Sequence, residues 1–202
     1  MPKVIGITGG IATGKSTVLQ LFAELGALTL SADDFAREVL AKGGLAYRDT
    51  VERFGEGILM PDGEIDRAAL GAIVFTDPSA RADLNSITHP HIIAAMQQAV
   101  DRFRSAPPAP DAVMAVEIPL LIECGLQHTV DEVIVVAAEP QTQQSRLTTR
   151  SHLTAEEAQS RIAAQMPIER KIQYADRVIW NSGSLEDLRA SVRAVWEEMH
   201  LL

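Results

Sequence analysis

A glycine-bearing loop near the amino terminus constrains the fold of this chain more than any other feature. Residues 9 to 16 read Gly-Gly-Ile-Ala-Thr-Gly-Lys-Ser, which matches the phosphate-loop (P-loop) pattern G-x-x-x-x-G-K-[ST]. The apolar segment 3–8 before it predicts a buried strand, and segment 15–25 after it predicts a helix that ends at Gly26. This strand–loop–helix order is the context that the pattern requires. The sequence therefore predicts a phosphate-binding loop at one edge of a sheet.

The residue types in this loop suit a nucleoside triphosphate. Glycines allow successive backbone N–H groups to point at phosphate oxygens, and the amino terminus of the following helix adds partial positive charge. Lys15 is predicted to reach the β- and γ-phosphates, and the hydroxyl of Ser16 is predicted to ligate Mg²⁺. The candidate ATP-binding residues of the loop are Gly10, Ile11, Ala12, Thr13, Gly14, Lys15, Ser16 and Thr17.

Strand and helix patterns alternate along most of the remaining chain. Further strands are predicted at 27–31, 112–117, 131–138 and 177–181. Thr154 and Glu157 have the spacing of a capping box, which predicts a helix running toward Gln165, and Ser184 with Asp187 predicts the start of a last helix. We therefore expect an α/β fold of the P-loop kinase-like kind, with a mostly parallel sheet and helices on both faces.

Residues 36 to 105 contain no convincing strand pattern. Asp66 and Asp77 stand where helices are predicted to begin, because a carboxylate can cap the free N–H groups of a first turn. His89 precedes Pro90, and proline disfavours the helical conformation of the residue before it. We expect a helical insertion beside the sheet, broken or kinked at His89.

Composition excludes several classes of protein. The 202 residues are 47% hydrophobic and 22% charged, which is typical of a globular domain. Cys124 is the single cysteine and cannot form an internal disulfide, and no apolar run approaches the roughly 18 residues of a spanning helix. A formal net charge of -9 argues against a nucleic-acid coat. We expect a cytoplasmic protein with no nucleic-acid or membrane partner, as a monomer, with a homo-oligomer left open.

One segment departs from this acidic average. Between residues 141 and 177, six basic residues stand against four acidic ones. A local cationic excess on an acidic protein suits a small polyanionic ligand. A helix face in contact with solvent is the alternative that the pattern leaves open.

The P-loop alone does not separate kinases, switch GTPases and motor-type ATPases. The chain contains neither Asp-x-x-Gly nor Asn-Lys-x-Asp, which disfavours a switch GTPase, and it is short for an ATPase machine. A small-molecule kinase with a helical acceptor domain and an arginine-bearing lid fits this layout best.

Acidic residues follow two of the predicted strands. Asp33 and Asp34 come after strand 27–31, whose carboxyl end is expected at the same edge of the sheet as the P-loop. A carboxylate there can accept the proton of an attacking hydroxyl or organise Mg²⁺, and a helix N-cap pair is the alternative. Glu117 ends strand 112–117 and is a candidate for Mg²⁺ contact through water, with a solvent-facing strand end as the alternative.

Short segments between residues 8 and 183 form a characteristic set. They are Thr8–Thr17, Ala32-Asp33 with Ala36-Arg37, Phe54-Gly55, Asp62-Gly63 with Asp66-Arg67, His89-Pro90, Ile118–Glu123, Arg146 with Arg150, Ala163–Gln165 and Asn181–Gly183. In this order they resemble the dephospho-CoA kinase family, which performs the last step of coenzyme A biosynthesis. The set spans nearly the whole chain, and His89-Pro90 with Pro119–Glu123 is its more specific part.

The resemblance implies transfer of the γ-phosphate of ATP to the ribose 3'-hydroxyl of dephospho-CoA. It implies that Asp33 is the base, that Lys15 and the loop amides hold phosphates, and that Ser16 binds Mg²⁺. Arg146 is implied to lie near the transferring phosphoryl group, with Arg150 as a weaker lid candidate.

The resemblance also implies the remaining binding residues. Residues 181 to 183, including Asn181 and Gly183, are implied to lie against adenine. Arg37, Arg67 and His89 are implied to face the CoA substrate, and a structural role at the helix break is the alternative for His89.

Three parts are implied for the molecule. The nucleotide-binding core comprises 1–35, 106–140 and 176–202, the helical CoA-substrate domain is 36–105, and the lid is 141–175. The chain departs from the family pattern at Ser31 and Trp180, where many relatives have aspartate.

Two other functions remain open from the sequence. A nucleoside or nucleotide kinase of the same fold is the nearest rival, and the choice of acceptor distinguishes it. A nucleotide-sensing protein without transfer is the rival of another class, and the set of Lys15, Ser16, Asp33 and Arg146 argues against it.

Overall fold

The central sheet carries the predicted P-loop. The computed structural model describes residues 1–151 and 153–201, and within them the sheet has five strands in the order β2-β3-β1-β4-β5. The strands are β1 (Lys3–Gly9), β2 (Leu28–Ser31), β3 (Val113–Glu117), β4 (Glu132–Ala137) and β5 (Arg177–Trp180). All neighbouring pairs are parallel. The predicted fold class is confirmed, with strand ends one residue shorter than expected at several places.

Helices connect the strands within the described residues. They are α1 (Lys15–Glu24), α2 (Ala32–Leu40), α3 (Tyr47–Phe54), α4 (Arg67–Thr76), α5 (Pro78–Ser105), α6 (Pro140–Ser151), α7 (Ala155–Ala163), α8 (Ile168–Ile172) and α9 (Leu185–Leu201). No helix in the described part of the chain combines the length and apolar character needed to cross a membrane.

The chain divides into two compact units. One unit comprises Met1–Ser31 and the chain from Arg102 onward, and the other is Ala32–Asp101. The first unit contains the whole sheet, and its core includes Ile7 of β1, Phe22 of α1 and Val136 of β4, all fully buried. Burial of such side chains stabilises each by about 1.5 to 3 kcal/mol, so this packing holds α1 against the strands.

The second unit is helical and has a small core of its own. Ile58, Ile65 and Leu70 are buried there, with Tyr47 and Phe54 of α3 packed against them. In this unit the strand pairing within the described residues is a single isolated bridge, Leu59 with Ile65, as the lack of strand patterns in the sequence predicts.

Side-chain caps start the helices where the sequence places them. The carboxylate of Asp66 accepts from the N–H groups of Ala68 and Ala69, at 2.9 and 3.1 Å. Thr154 and Glu157 form the reciprocal capping box at the start of α7. Each cap satisfies donors that a helix end leaves unpaired.

The expected break at His89 is wrong, because α5 continues through Pro90, and the alternative of a kink there stays a prediction. Helix α5 runs for 28 residues from Pro78 to Ser105, with Pro90 in its interior. A proline removes one backbone donor and crowds one preceding turn, whereas the buried residues Met96 and Val100 lie on the helix beyond it. Burial after Pro90 therefore keeps the chain helical through the proline.

Candidate functional site

The backbone of the P-loop requires glycine at two positions. A Cβ on Gly9, whose φ is 151°, would lie 2.2 Å from the carbonyl oxygen of Val136. A Cβ on Gly14, whose φ is 95°, would lie 2.2 Å from Nδ2 of Asn181. Because real Cβ atoms do not approach other atoms this closely, the two glycines allow the loop to pass between β4 and the end of β5.

Side-chain donors hold the carbonyl groups of the loop. Nδ2 of Asn181 donates to the oxygen of Thr13 at 2.8 Å, and Arg146 donates to the oxygens of Ala12 and Thr13 at 3.3 and 3.4 Å. In a trans peptide the N–H points opposite to the carbonyl. The N–H groups of Thr13 and Gly14 are therefore directed away from Arg146 and Asn181, as anion binding at the start of α1 requires.

Two glutamines bracket the peptide groups of Ile11. Oε1 of Gln165 accepts from the N–H of Ile11 at 2.7 Å, and Nε2 of Gln143 donates to its carbonyl at 2.7 Å. Gln143 was not among the predicted site residues, and Gln165 was named only within a motif and as the expected end of a helix. Gln143 stands three residues before Arg146 on α6, and this spacing puts both on one helix face, which is the signal that points to it.

Ser16 contacts a buried acid. Oγ of Ser16 donates to Oε1 of Glu117 at 3.2 Å, and Glu117 is 6% exposed at the end of β3. The alternative of a solvent-facing strand end is therefore wrong for Glu117. A hydroxyl and a carboxylate are oxygen ligands of the kind Mg²⁺ prefers. The described residues contain no cluster of three or more His, Cys, Asp or Glu side chains suited to a metal.

Lys15 lies over its own loop. Its Nζ donates to the carbonyl of Gly10 at 2.9 Å, and the hydroxyl of Thr13 donates to the same carbonyl at 2.9 Å. The ammonium group is thus held at the loop that the sequence predicts to bind phosphate.

A cavity of about 700 Å³ borders the loop. It is lined by residues of the loop, of α6 and of the segment that follows β5. The predicted nucleotide-binding residues that line it are Ile11, Ala12, Gly14, Thr17, Arg146, Asn181 and Gly183. Arg150 and Arg161 line it as well, so its wall is cationic.

Asn181 connects the parts of this cavity wall. The residue is buried, its N–H donates to the carbonyl of Ala137 at 2.8 Å, and its Oδ1 accepts from Arg146 at 3.2 Å. The neighbouring Trp180 is 50% exposed. Asn181 therefore holds Arg146 and the P-loop in one network, while Trp180 faces outward.

The residues predicted for the acceptor lie in the helical unit. Asp33 and Asp34 occupy the first turn of α2, which begins at Ala32, so they are not its N-cap. Arg37 donates to Asp34 at 3.1 Å in a pair whose side chains are both mainly exposed. The remaining two residues are Arg67, exposed at the start of α4, and His89, half-buried in α5.

Lys171 is a fully buried residue beside the P-loop that was not among the predicted site residues. Nζ of Lys171, on α8, lies 2.8 Å from Oε1 of Glu123 and donates to the carbonyls of Pro119 and Gly9 at 3.3 and 3.5 Å. The sequence analysis counted Lys171 among the basic residues of segment 141–177, and a solvent-facing position is wrong for it. The sequence signal for this contact is the motif Ile118–Glu123, because it contains Glu123, the partner of Lys171.

A second charged cluster lies at the amino ends of the strands. Glu132 pairs with Lys3 at 2.8 Å and with Arg177 at 2.9 Å. Burial raises the pKa of Glu132, but hydrogen bonds and attraction from the two cations outweigh it, so the pKa of Glu132 falls below its ordinary value. The hydrogen bond that Arg177 donates to Glu132 is also the main cause that raises the pKa of Arg177. This cluster joins β1, β4 and β5 at the opposite end from the P-loop.

These observations define a class of protein. The molecule has the parts of a P-loop kinase: a P-loop after the central strand of a parallel sheet, a buried acid beside the serine of that loop, and arginines along the adjoining cavity.

Comparisons with known proteins identify the family. Residues 3–187 match the family model described as dephospho-CoA kinase. A dephospho-CoA kinase of Moorella thermoacetica is 45% identical over 97% of this chain and 92% of its own length. A dephospho-CoA kinase of Geobacter sulfurreducens is 47% identical over 96% of this chain and 97% of its own length. The structure of a dephospho-CoA kinase from Campylobacter jejuni superposes with a TM-score of 0.73 at 31% identity, covering 98% of both chains. The chain belongs to the dephospho-CoA kinase family.

Proposed function

We propose that this protein transfers the γ-phosphate of ATP to the ribose 3'-hydroxyl of dephospho-CoA, which yields CoA and ADP. The observation that carries this proposal is the family match over residues 3–187 in a chain whose P-loop is fully formed. Phosphoryl transfer depends mainly on positioning and on neutralising charge, and the described contacts provide both.

The P-loop binds the phosphates in this proposal. Residues 10 to 17 surround the β- and γ-phosphates, and the N–H groups of Thr13 and Gly14 are held in place through their neighbouring carbonyls. Lys15 moves from the carbonyl of Gly10 to a phosphate oxygen, a stronger acceptor because it carries charge. The amino terminus of α1 adds partial positive charge.

Ser16 and Glu117 are the residues proposed to hold Mg²⁺. The hydroxyl of Ser16 provides a direct ligand, and Glu117, 3.2 Å from it, contacts the ion through water. When bound, Mg²⁺ neutralises phosphate charge as a Lewis acid.

Arg146 is proposed to stabilise charge on the transferring phosphoryl group. Its guanidinium carries five donors in a planar fork, and the described contacts anchor it to the oxygens of Ala12, Thr13 and Asn181. Asn181 to Gly183 are proposed to lie against adenine, in the cavity that they line with Arg146.

The helical unit is proposed to bind the acceptor. Asp33, two positions beyond the end of β2, accepts the proton of the 3'-hydroxyl as the new oxygen–phosphorus bond forms. The bond from the γ-phosphorus to the bridging oxygen breaks, and ADP departs. The residues proposed to contact the CoA substrate are Arg37, Arg67 and His89. Arg37 can leave its exposed ion pair with Asp34 for the substrate at little cost in free energy, because exposed pairs contribute little.

Closure of a lid is proposed to exclude water from this reaction. The lid is segment 141–175, which contains α6, α7 and α8, and the nucleotide-binding core is 1–35, 106–140 and 176–202. Water otherwise competes with the sugar hydroxyl as acceptor. A monomeric state, with a homo-oligomer as alternative, and a cytoplasmic location stay predictions.

The test measures which acceptor the enzyme uses. Purified protein with Mg-ATP is incubated with dephospho-CoA, ADP release is followed by a coupled assay, and the mass of the product is determined. We expect ADP release that depends on dephospho-CoA and a product one phosphoryl group heavier. Matched reactions with nucleosides and nucleotides should remain at background. Transfer to those acceptors but not to dephospho-CoA would overturn the proposal.

A further inference from the structure

A buried lysine, paired with a partly exposed glutamate, connects α8 to the first residue of the P-loop. The ammonium group of Lys171 has three protons and three acceptors: Oε1 of Glu123 at 2.8 Å, the carbonyl of Pro119 at 3.3 Å and the carbonyl of Gly9 at 3.5 Å. The carboxylate contact is short, and the two carbonyl contacts are at the long end of the hydrogen-bond range. The lysine side chain is 0% exposed, so solvent provides none of its contacts.

Stability alone does not account for such a pair. Removing the ammonium group of Lys171 from water has a large cost, whereas the carboxylate of Glu123 stays 22% exposed. A well-packed apolar replacement for a buried charge is often at least as stable. Buried pairs in some proteins specify one geometry among several. The position of the acceptors indicates which geometry Lys171 specifies.

The two carbonyls that accept from Lys171 lie at the start of the P-loop and in the turn after Glu117. Gly9 begins the P-loop, and its left-handed backbone packs against the carbonyl of Val136. Pro119 lies two residues after Glu117, the acid that contacts Ser16. The hydroxyl of Thr8 also donates to the carbonyl of Pro119, at 3.2 Å. The end of β1 and the turn after β3 are therefore joined through one carbonyl and one ammonium group.

We propose that Lys171, with Glu123 as its counter-ion, is a positioning residue for phosphoryl transfer. The ammonium group sets the direction of the Gly9 carbonyl and the place of the turn at Pro119, and so fixes the P-loop amides relative to Glu117. Lys171 acts through these groups and does not touch the nucleotide. This inference rests on the proposed function, which identifies the loop as the phosphate site.

The first variant is Lys171→Met, which keeps an unbranched apolar stem of similar length and removes the terminal ammonium group. A displacement of about 1 Å at a reacting group can cost on the order of 10²-fold in rate. We therefore expect kcat/KM for ATP to fall by roughly 10- to 100-fold, while KM for dephospho-CoA is unchanged. The affinity for a non-hydrolysable ATP analogue, measured by calorimetry, should fall as well.

Lys3→Met is the matched control. Lys3 also pairs with a glutamate at 2.8 Å, and it lies at the other end of β1. The same chemical change there should lower the melting temperature and leave both KM values and kcat as in the wild type.

A double variant separates positioning from stability. Lys171→Met leaves Glu123 without its cation, which lowers the melting temperature and can prevent folding. Lys171→Met with Glu123→Gln removes both charges, so the melting temperature should recover, but the contacts to Gly9 and Pro119 remain lost. We expect this double variant to be folded and still defective toward ATP.

Two results would overturn the inference. One is a double variant with wild-type kcat and KM for ATP. The other is a Lys171→Met enzyme whose melting temperature falls while its kcat and KM for ATP stay at the wild-type values. If wild-type protein fails to consume dephospho-CoA, the proposed function fails separately, because calorimetry with the ATP analogue still tests Lys171.

Discussion

Replacing Gly14 with alanine tests whether the packing around Asn181 organises the P-loop. The new Cβ would lie 2.2 Å from Nδ2 of Asn181 and 3.9 Å from a guanidinium nitrogen of Arg146. Asn181 must then move, and it loses its bonds to Thr13 and Arg146, at 2.8 and 3.2 Å. Gly26→Ala is the matched control, because Gly26 also has a left-handed φ, 105°, but nothing lies within 4 Å of its Cβ position.

The expected costs follow from these contacts. A left-handed φ at alanine costs about 1 to 2 kcal/mol at either position. At Gly14 two lost hydrogen bonds add to this cost. The neutral bond from Asn181 to Thr13 contributes about 1 kcal/mol, and the bond from the charged Arg146 to Asn181 contributes about 1.5 to 3 kcal/mol. We therefore expect the free energy of unfolding to fall by about 3.5 to 6 kcal/mol for Gly14→Ala and about 1 to 2 kcal/mol for Gly26→Ala.

Two measurements check this expectation. Urea denaturation gives the free energies of unfolding, and calorimetry with a non-hydrolysable ATP analogue gives the affinity. Displacement of Asn181 should weaken ATP binding on the order of 10²-fold in Gly14→Ala, whereas Gly26→Ala should bind as the wild type does. If the two variants agree in both stability and affinity, the contact between Gly14 and Asn181 does not organise the site.

Three further predictions concern the reaction and pH. Asp33→Asn should lower kcat by about 10²- to 10⁴-fold, because it removes a general base, and near-normal turnover would refute that role. Arg146→Ala should lower kcat more than it lowers ATP affinity, because charge develops during transfer, and equal losses would assign Arg146 to ground-state binding. Folding lowers the pKa of Glu132 below its ordinary value of about 4.5, so its pairs with Lys3 and Arg177 stabilise the fold fully above about pH 4.5. This stabilisation is lost as the pH falls through the lowered pKa of Glu132. The gap in unfolding free energy between wild type and Glu132→Gln should therefore narrow below about pH 4.5, and a gap independent of pH would contradict this.

Local signals predicted most of the fold. The P-loop, the cap at Asp66 and the capping box at Thr154 depend on residues a few positions apart, so a short window of sequence contains their causes. Pro90 was misjudged for the same reason. A local rule expects a break there, whereas burial of residues farther along α5 determines the outcome.

Contacts between distant residues were harder to predict. Gln165 lies 154 positions from Ile11, and Lys171 lies 162 positions from Gly9. No spacing in the sequence brings such residues together, because the fold as a whole sets their distance. A basic residue at position 171 is therefore indistinguishable from a surface lysine until α8 is placed against β4.

The order of the strands also bears on how the nascent chain matures. β1 leaves the ribosome first, yet it lies between β3 and β4, and both neighbours are synthesised more than one hundred positions later. Asn181, which anchors the carbonyl of Thr13 in the P-loop, lies 168 positions after Thr13 and is synthesised correspondingly later. At roughly 5 to 20 residues per second, the amino-terminal segment waits several seconds for its partners. Nucleotide capture is therefore a late event, and chains truncated before β5 should lack it.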